Sequence, residues 1–222
     1  MQRHFDAELQ QLKEKLLRMS GLVEESIVTS IKALVDRNAK LAQKVIDADN
    51  ATDTFEVEID DLSLRLLALY QPQAGDLRFI TSTMKINNDL ERIGDLSVNI
   101  AHRALDLLKA PPIKSLADIL HMAKASQAML KDSLNAFVNK DTRLAEDVCR
   151  RDDEVDQLNH QIFVKILTDQ AGDPQMVERA IDIVLVAKNL ERIADHSTNI
   201  AEDVIYMVEG KTIKHHLLDK KS

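Results

Sequence analysis

The chain has 222 residues, a formal charge of -8, 45% apolar and 30% charged residues, 3% aromatics, five glycines and four prolines. So acidic a chain with no basic stripe excludes a nucleic-acid backbone as partner, because that binding draws on counterion release, and its apolar fraction excludes a disordered chain. The scarcity of aromatic, Gly and Pro residues points to helices rather than to strands and turns.

In chain order, the residues predict six helical stretches. The first runs over about 6–35 and is interrupted by Asp36, Arg37 and Asn38. The second covers about 40–69 and stops where Pro72 and Gly75 oppose continuation. Its apolar rhythm is Leu41, Val45, Ala48, Thr52, Phe55, Ile59, Leu62, Leu66 and Leu69. The third, about 76–109, shows one seam, Ile86, Leu90, Ile93, Ser97, Ile100, Ala104 and Leu107, and ends before Pro111 and Pro112. Asp76 and Arg78 at its start are expected to cap it and to pair locally. The fourth is expected from an N-cap at Ser115 to about 138, and the fifth over about 142–168. Ala171, Gly172, Asp173 and Pro174 close the fifth, and the sixth reaches about 209 with Gly210 as its C-cap residue. No apolar run approaches the ~20 residues of a spanning helix. The opening residues lack the basic-then-apolar layout of a secretory leader. The single cysteine, Cys149, cannot staple the fold and reads as a small half-buried helix residue. Together these features lead to the expectation of a cytoplasmic chain that inserts nowhere in a membrane.

An internal repeat organises the whole. The segment from Leu90 to Ala101 recurs from Leu190 to Ala201 with about nine of twelve positions identical. Upstream the correspondence shifts by three residues: Met19 with Met122, Ser30 with Ser133, Ala33 with Ala136, Asp49 with Asp152 and Asp53 with Asp156. The expected architecture is all-α: two tandem three-helix bundles, residues 1–110 and 111–210, followed by a polar tail, 211–222.

Each copy carries two acidic pairs four residues apart: Asp49/Asp53 with Glu91/Asp95, and Asp152/Asp156 with Glu191/Asp195. Four residues are about one turn, so each pair shares a helix face. If the second and third helices fold back around Pro72, Asp53 comes level with Glu91, and Asp49 with Asp95. The second copy predicts the same levels around Pro174. At ~100° per residue, Glu91 and Asp95 sit about 140–180° from the centre of the Ile86–Leu107 seam, facing outward. Asn99 and His102 continue that stripe, as do Asn199, Glu202 and Asp203 in the second copy. Like charges one turn apart repel, so the array invites a compensating cation. Equally, Arg92, Arg192, Arg78 and Lys188 can neutralise it, or water can solvate it as a passive solubility surface. His102 and His196 are candidate additional ligands, while His215 and His216 lie in the polar tail. There is no Glu-x-x-His pair, Gly-rich phosphate loop or nucleophile with an evident base, so an enzyme is not expected.

The doubled Leu-Glu-Arg-Ile-(Gly/Ala)-Asp motif, the Asp-x-x-x-Asp pair on the preceding helix, and Gly75-Asp76-Leu77-Arg78 resemble the PhoU family over about residues 5–209. The resemblance implies two pseudo-twofold-related bundles, commonly dimeric. It implies a negative regulator of phosphate uptake and of the bacterial phosphate-starvation response. Such a regulator couples the ATPase subunit of the phosphate ABC transporter to the phosphate sensor histidine kinase, which would place the chain at the inner membrane only through those partners. It also implies iron, zinc or another divalent metal on Asp49, Asp53, Glu91, Asp95, Asp152, Asp156, Glu191 and Asp195. The alternative is a carboxylate-rich metal-binding helical scaffold with no part in phosphate signalling. Gly94 against Ala194 is expected to permit close helix approach in the first copy, and His196 against Leu96 to make the two ligand sets differ.

Overall fold

The computed structural model of the chain describes residues 2–109, 111, 116–169 and 174–213. Six helices make it up: α1 (Gln2–Val35), α2 (Ala39–Tyr70), α3 (Ala74–Leu108), α4 (Ala117–Asn139), α5 (Thr142–Asp169) and α6 (Pro174–Glu209). No strand occurs among the described residues. The first three helices form one bundle and the last three the other. The expected cap at Ser115, the loop residues Ala171, Gly172 and Asp173, and the tail histidines His215 and His216 lie outside the described residues.

The repeat extends to the turns. Just past the end of α1, Arg37 (φ 50°), and just past the end of α4, Lys140 (φ 54°), occupy the same position in each copy and are both left-handed. Behind them the Asn38 amide bonds the Ala33 carbonyl at 2.9 Å and the Asp141 amide bonds the Ala136 carbonyl at 3.0 Å, each closing the helix end. The same two residues then open the next helix. Asn38 Oδ1 accepts from the Lys40 and Leu41 amides (3.0 and 3.2 Å), and Asp141 Oδ1 from those of Arg143 and Leu144 (3.0 and 3.1 Å). At the far end of α6, Gly210 at φ 70° takes the predicted C-cap geometry, its amide on the Tyr206 carbonyl at 2.8 Å.

α3 and α6 lie side by side at the centre and run antiparallel, since Lys85 meets Asp203, Asp89 meets Asn199 and Arg103 meets Asp182. The seam residues Leu90, Ile93 and Ile100 and their copies Leu190, Ile193 and Ile200 are all fully buried. Ser97 and Ser197, also fully buried, return their hydroxyls to the Ile93 and Ile193 carbonyls at 2.9 and 2.7 Å. Because α3 packs against α1, α2 and α6 together, burial spreads beyond one seam to Ser82, Thr83, Asn87, Asp89 and Leu96. The predicted α2 stripe holds at Val45, Thr52, Ile59, Leu62 and Leu66, whereas Ala48 and Leu69 are exposed and Ala42 and Ser63 are buried instead.

Polar groups cross between the bundles. Asp203, expected on the outer stripe, is 2% exposed and pairs with Lys85 at 3.0 Å. Its counterpart in the repeat, Arg103, pairs with Asp182 at 3.0 Å, so the same position carries opposite charge in the two copies and each finds its complement on the other helix. His196 Nδ1 sits 2.8 Å from Asp89 Oδ1, and Asn199 Nδ2 donates to that same oxygen at 3.3 Å. Arg78 does not pair within α3. Its Nε donates to the Met207 carbonyl at 3.2 Å, closing the last turn of α6 with a positive charge.

Candidate functional site: two acidic grooves

α2 packs on α3, and α5 on α6, and the furrow between the two packed helices is the groove that the acidic pairs border in each bundle. In the first, Asp49 stands beside Asp53 and Asp95, while Glu91 stands beside Asp95, Glu56 and Asp53. In the second, Asp156 faces Glu191, and Asp195 faces Asp152. The level-matched partners expected from the helix register therefore lie close enough, in both copies, for the charge of one to raise the pKa of the other.

Their orientation differs from the expectation. The Glu91 and Glu191 side chains are each only 14% exposed, against 43% for Asp95. The cause is the central place of α3 and α6, which draws the near wall of each groove inward. His196 faces α3 rather than the groove, so the two acidic sets do not differ by that imidazole. His102 is exposed on the outer continuation of α3. Gly94 is buried against α2, yet a methyl there would meet Thr52 Cγ2 at 3.4 Å and Asp49 Oδ1 at 3.7 Å, which is ordinary contact. The helix approach therefore does not require glycine.

Crowded carboxylates in a half-buried groove hold protons more tightly. Burial and then Asp53 and Asp95 raise Asp49, while burial and then Asp95 raise Glu91 against the pull of Arg92. Burial and then Asp156 raise Asp152, whose Oδ1 accepts from Thr198 Oγ1 at 3.3 Å. Asp195 keeps an open edge to solvent, but the groove walls strip its hydration and Asp152, Glu191 and Asp156 repel its charge, so its carboxyl is pushed up to about 6.

Basic side chains answer part of this charge. Arg92 Nε lies 3.1 Å from Glu91 Oε2 and its Nη1 lies 3.1 Å from Asp95 Oδ2, while Lys188 pairs with Glu191. Arg78 is committed to α6 and contributes nothing here. The donor set is one that hard cations favour. Glu91 Oε2 and Glu191 Oε2, at equivalent positions, are buried, with the cations of Arg92 and Lys188 as their partners. Among the described residues, no three His, Cys, Asp or Glu side chains stand as a ready coordination set. The residues thus fit a metal in kind, and a side-chain rearrangement that moves Arg92 and Lys188 aside would be needed to gather them.

Two groove residues escape the four-residue motif. Glu56, raised by burial and then by Asp60 and Asp53, and Asp60, held by Asn87 Nδ2 at 3.0 Å, extend the first array along α2. Spacings of three and seven from Asp53 put both on its face, a signal present in the sequence. Cys149 is half-buried, and burial, Glu202 and Asp152 push its thiol up to about 12, which removes it as a nucleophile.

Two tandem three-helix bundles with an acidic groove on each define a class of duplicated helical proteins, and comparison with known proteins gives the family. The PhoU domain matches twice, over residues 16–104 and 119–204. A phosphate-specific transport system accessory protein PhoU homolog from Aquifex aeolicus is 42% identical over 214 residues, covering 96% of this chain and 97% of that protein. The crystal structure of PhoU from Pseudomonas aeruginosa superposes with a TM-score of 0.90 at 38% identity, covering 93% of this chain and all of that one (100%). That of the phosphate transport system regulatory protein PhoU from Streptococcus pneumoniae gives 0.86 at 31%, covering 94% and 98%. The chain belongs to the PhoU family.

Proposed function

We propose that this chain is a non-catalytic accessory protein of phosphate-specific transport that represses the phosphate-starvation response when phosphate is plentiful. It does so in the cytoplasm, as a homodimer, by touching the ATPase subunit of the phosphate ABC transporter and the phosphate sensor histidine kinase. The observation that carries this reading is the doubled acidic motif, placed at matched heights on both bundles of a PhoU fold. Among the described residues no helix is long and apolar enough to cross a membrane, so contact with a membrane system through protein partners is the simpler arrangement.

A divalent ion such as iron or zinc would be held by Asp49, Asp53, Glu91 and Asp95, and by Asp152, Asp156, Glu191 and Asp195. Bound there, it supplies positive charge that cancels carboxylate repulsion. The chain's own part is to position the acids one turn apart and to release Arg92 and Lys188 from Glu91 and Glu191.

A clean deletion, with starvation-gene expression read in high phosphate, tests the regulatory reading. Expression is expected to stay switched on, and normal repression in a strain with no second copy would remove the proposal. Asp53→Asn with Glu91→Gln, followed by elemental analysis of protein purified without chelators, tests the metal. Equal metal content in variant and parent would sink it.

A further inference from the structure

The second groove has a feature the first lacks. On α5, Phe163 lies eleven residues beyond Asp152, within about 20° of it around the helix, so it continues the acidic face towards the α5–α6 loop. The Asp152–Thr198 hydrogen bond and the electrostatic coupling of Asp156 with Glu191 set the register of α6, which brings the turn from Val184 to Ala187 level with Phe163, and Ile181 and Val177 nearer the loop. Phe163 is 44% exposed, Ile181 54% and Val177 49%. The groove is therefore apolar at one end and acidic at the other. In the first copy the equivalents of Phe163 and Ile181 are Asp60 and Thr81, and Asp60 is tied to buried Asn87, where the second copy has buried Ala187. The polar tether of one groove is an open apolar surface in the other.

We infer that the α5/α6 groove, in its metal-free state, is a docking surface for an amphipathic helical segment of a partner protein, whose apolar side chains seat on Phe163 and Ile181 while Lys or Arg one to two turns along meet Asp156 and Asp195. Charge complementarity selects this occupant. A second copy would bring acidic groove against acidic groove, and an anionic lipid surface would be repelled, whereas an apolar-then-basic helix satisfies both ends at once. The inference rests on the reading that this protein works by touching other proteins, but its test involves neither transporter nor kinase.

The probe is a fluorescein-labelled helix-forming peptide of ~18 residues, with leucines on one face of its first half and arginines on that face of its second, titrated against the full chain by anisotropy. Phe163→Asp with Ile181→Thr, which installs the residues of the first groove at exposed positions, is expected to weaken binding by about tenfold or more. A peptide with glutamates replacing the arginines is expected not to bind, and Val57→Thr with Leu64→Thr on α2 to leave affinity unchanged. Unaltered affinity in the Phe163/Ile181 variant, or equal loss in the Val57/Leu64 variant, overturns the proposal. So does sedimentation in which the Phe163/Ile181 change converts a dimer to a monomer, because a second copy then covers the stripe. Repression in high phosphate is read separately in the deletion strain, so failure here and failure of the regulatory reading are told apart.

Discussion

The α2/α3 and α5/α6 grooves share a backbone plan and a motif, yet they differ in what they offer. The first gathers six carboxylates, Asp49, Asp53, Glu56, Asp60, Glu91 and Asp95, with Arg92 paired to Glu91 and Asp95. The second keeps four, with Lys188 on Glu191, has Asn159 and Phe163 in place of Glu56 and Asp60, and carries Ile181 where the first has Thr81. What stayed constant is what the helices need in order to pack: the capping pair Asn38 and Asp141, the left-handed Arg37 and Lys140, and the buried Ser97 and Ser197. Exposed groove positions carry no such constraint and were free to diverge. Duplication here preserved a scaffold and left two unlike surfaces on it.

The sharpest way to break that comparison is in the shared core. Ile93→Ala and Ile193→Ala, both at fully buried positions, should each cost about 2–5 kcal/mol by denaturant unfolding. A difference of more than about 2 kcal/mol between them would mean that the two cores are not equivalent. Next in size is the charge-reversed pair between the bundles. Arg103→Gln, which strands the charge of Asp182 at a site 10% exposed, should cost about 1–3 kcal/mol, and Asp203→Asn, which leaves behind Lys85 at a site 48% exposed, clearly less. Equal losses would show that burial does not set the value of these crossings.

A smaller effect separates the motif copies themselves. Gly94→Ala should stabilise by up to about 1 kcal/mol, because the added methyl makes ordinary contacts and helix propensity rises, while Ala194→Gly should cost a similar amount. A destabilised Gly94→Ala protein would mean that the first groove does need its closer approach. The smallest effect is on pH. Asp195 binds its proton more tightly folded than unfolded, so below about pH 4 its contribution is favourable, and this is lost as pH rises through about 6. Its open edge to solvent screens the effect to under about 1 kcal/mol. Thermal unfolding between pH 4 and pH 7 should show a shallower fall in Asp195→Asn than in the parent, and parallel curves would remove Asp195 as the titrating group. The equivalent Asp95→Asn instead deletes the 3.1 Å pair to Arg92.

Much of the molecule was legible before folding. The seam from Ile86 to Leu107, the breakers at Asn38 and Pro72, and the repeat of Leu90–Ala101 at Leu190–Ala201 are one-dimensional signals, because helix geometry follows from local spacing. Level-matching of Asp53 with Glu91 followed from loop position alone. Glu56 and Asp60 were readable by the same face arithmetic but lie outside the four-residue motif. Arg78, by contrast, looks like a local cap and reaches the end of α6, a partner more than a hundred residues away that no spacing rule could supply.

Which residues are helical, that the chain is a duplicated bundle, and which acids share a face can be read along the chain, since each of these depends on neighbours within a few turns. Only the tertiary structure decided that Asp203 is buried on Lys85, that His196 turns to Asp89 rather than to the groove, and that Glu91 and Glu191 are drawn partly inside. The reason is the crossing of α3 and α6. A helix packed on several sides has no single outward face, and which of its polar residues meets water depends on a partner helix from the other half of the chain.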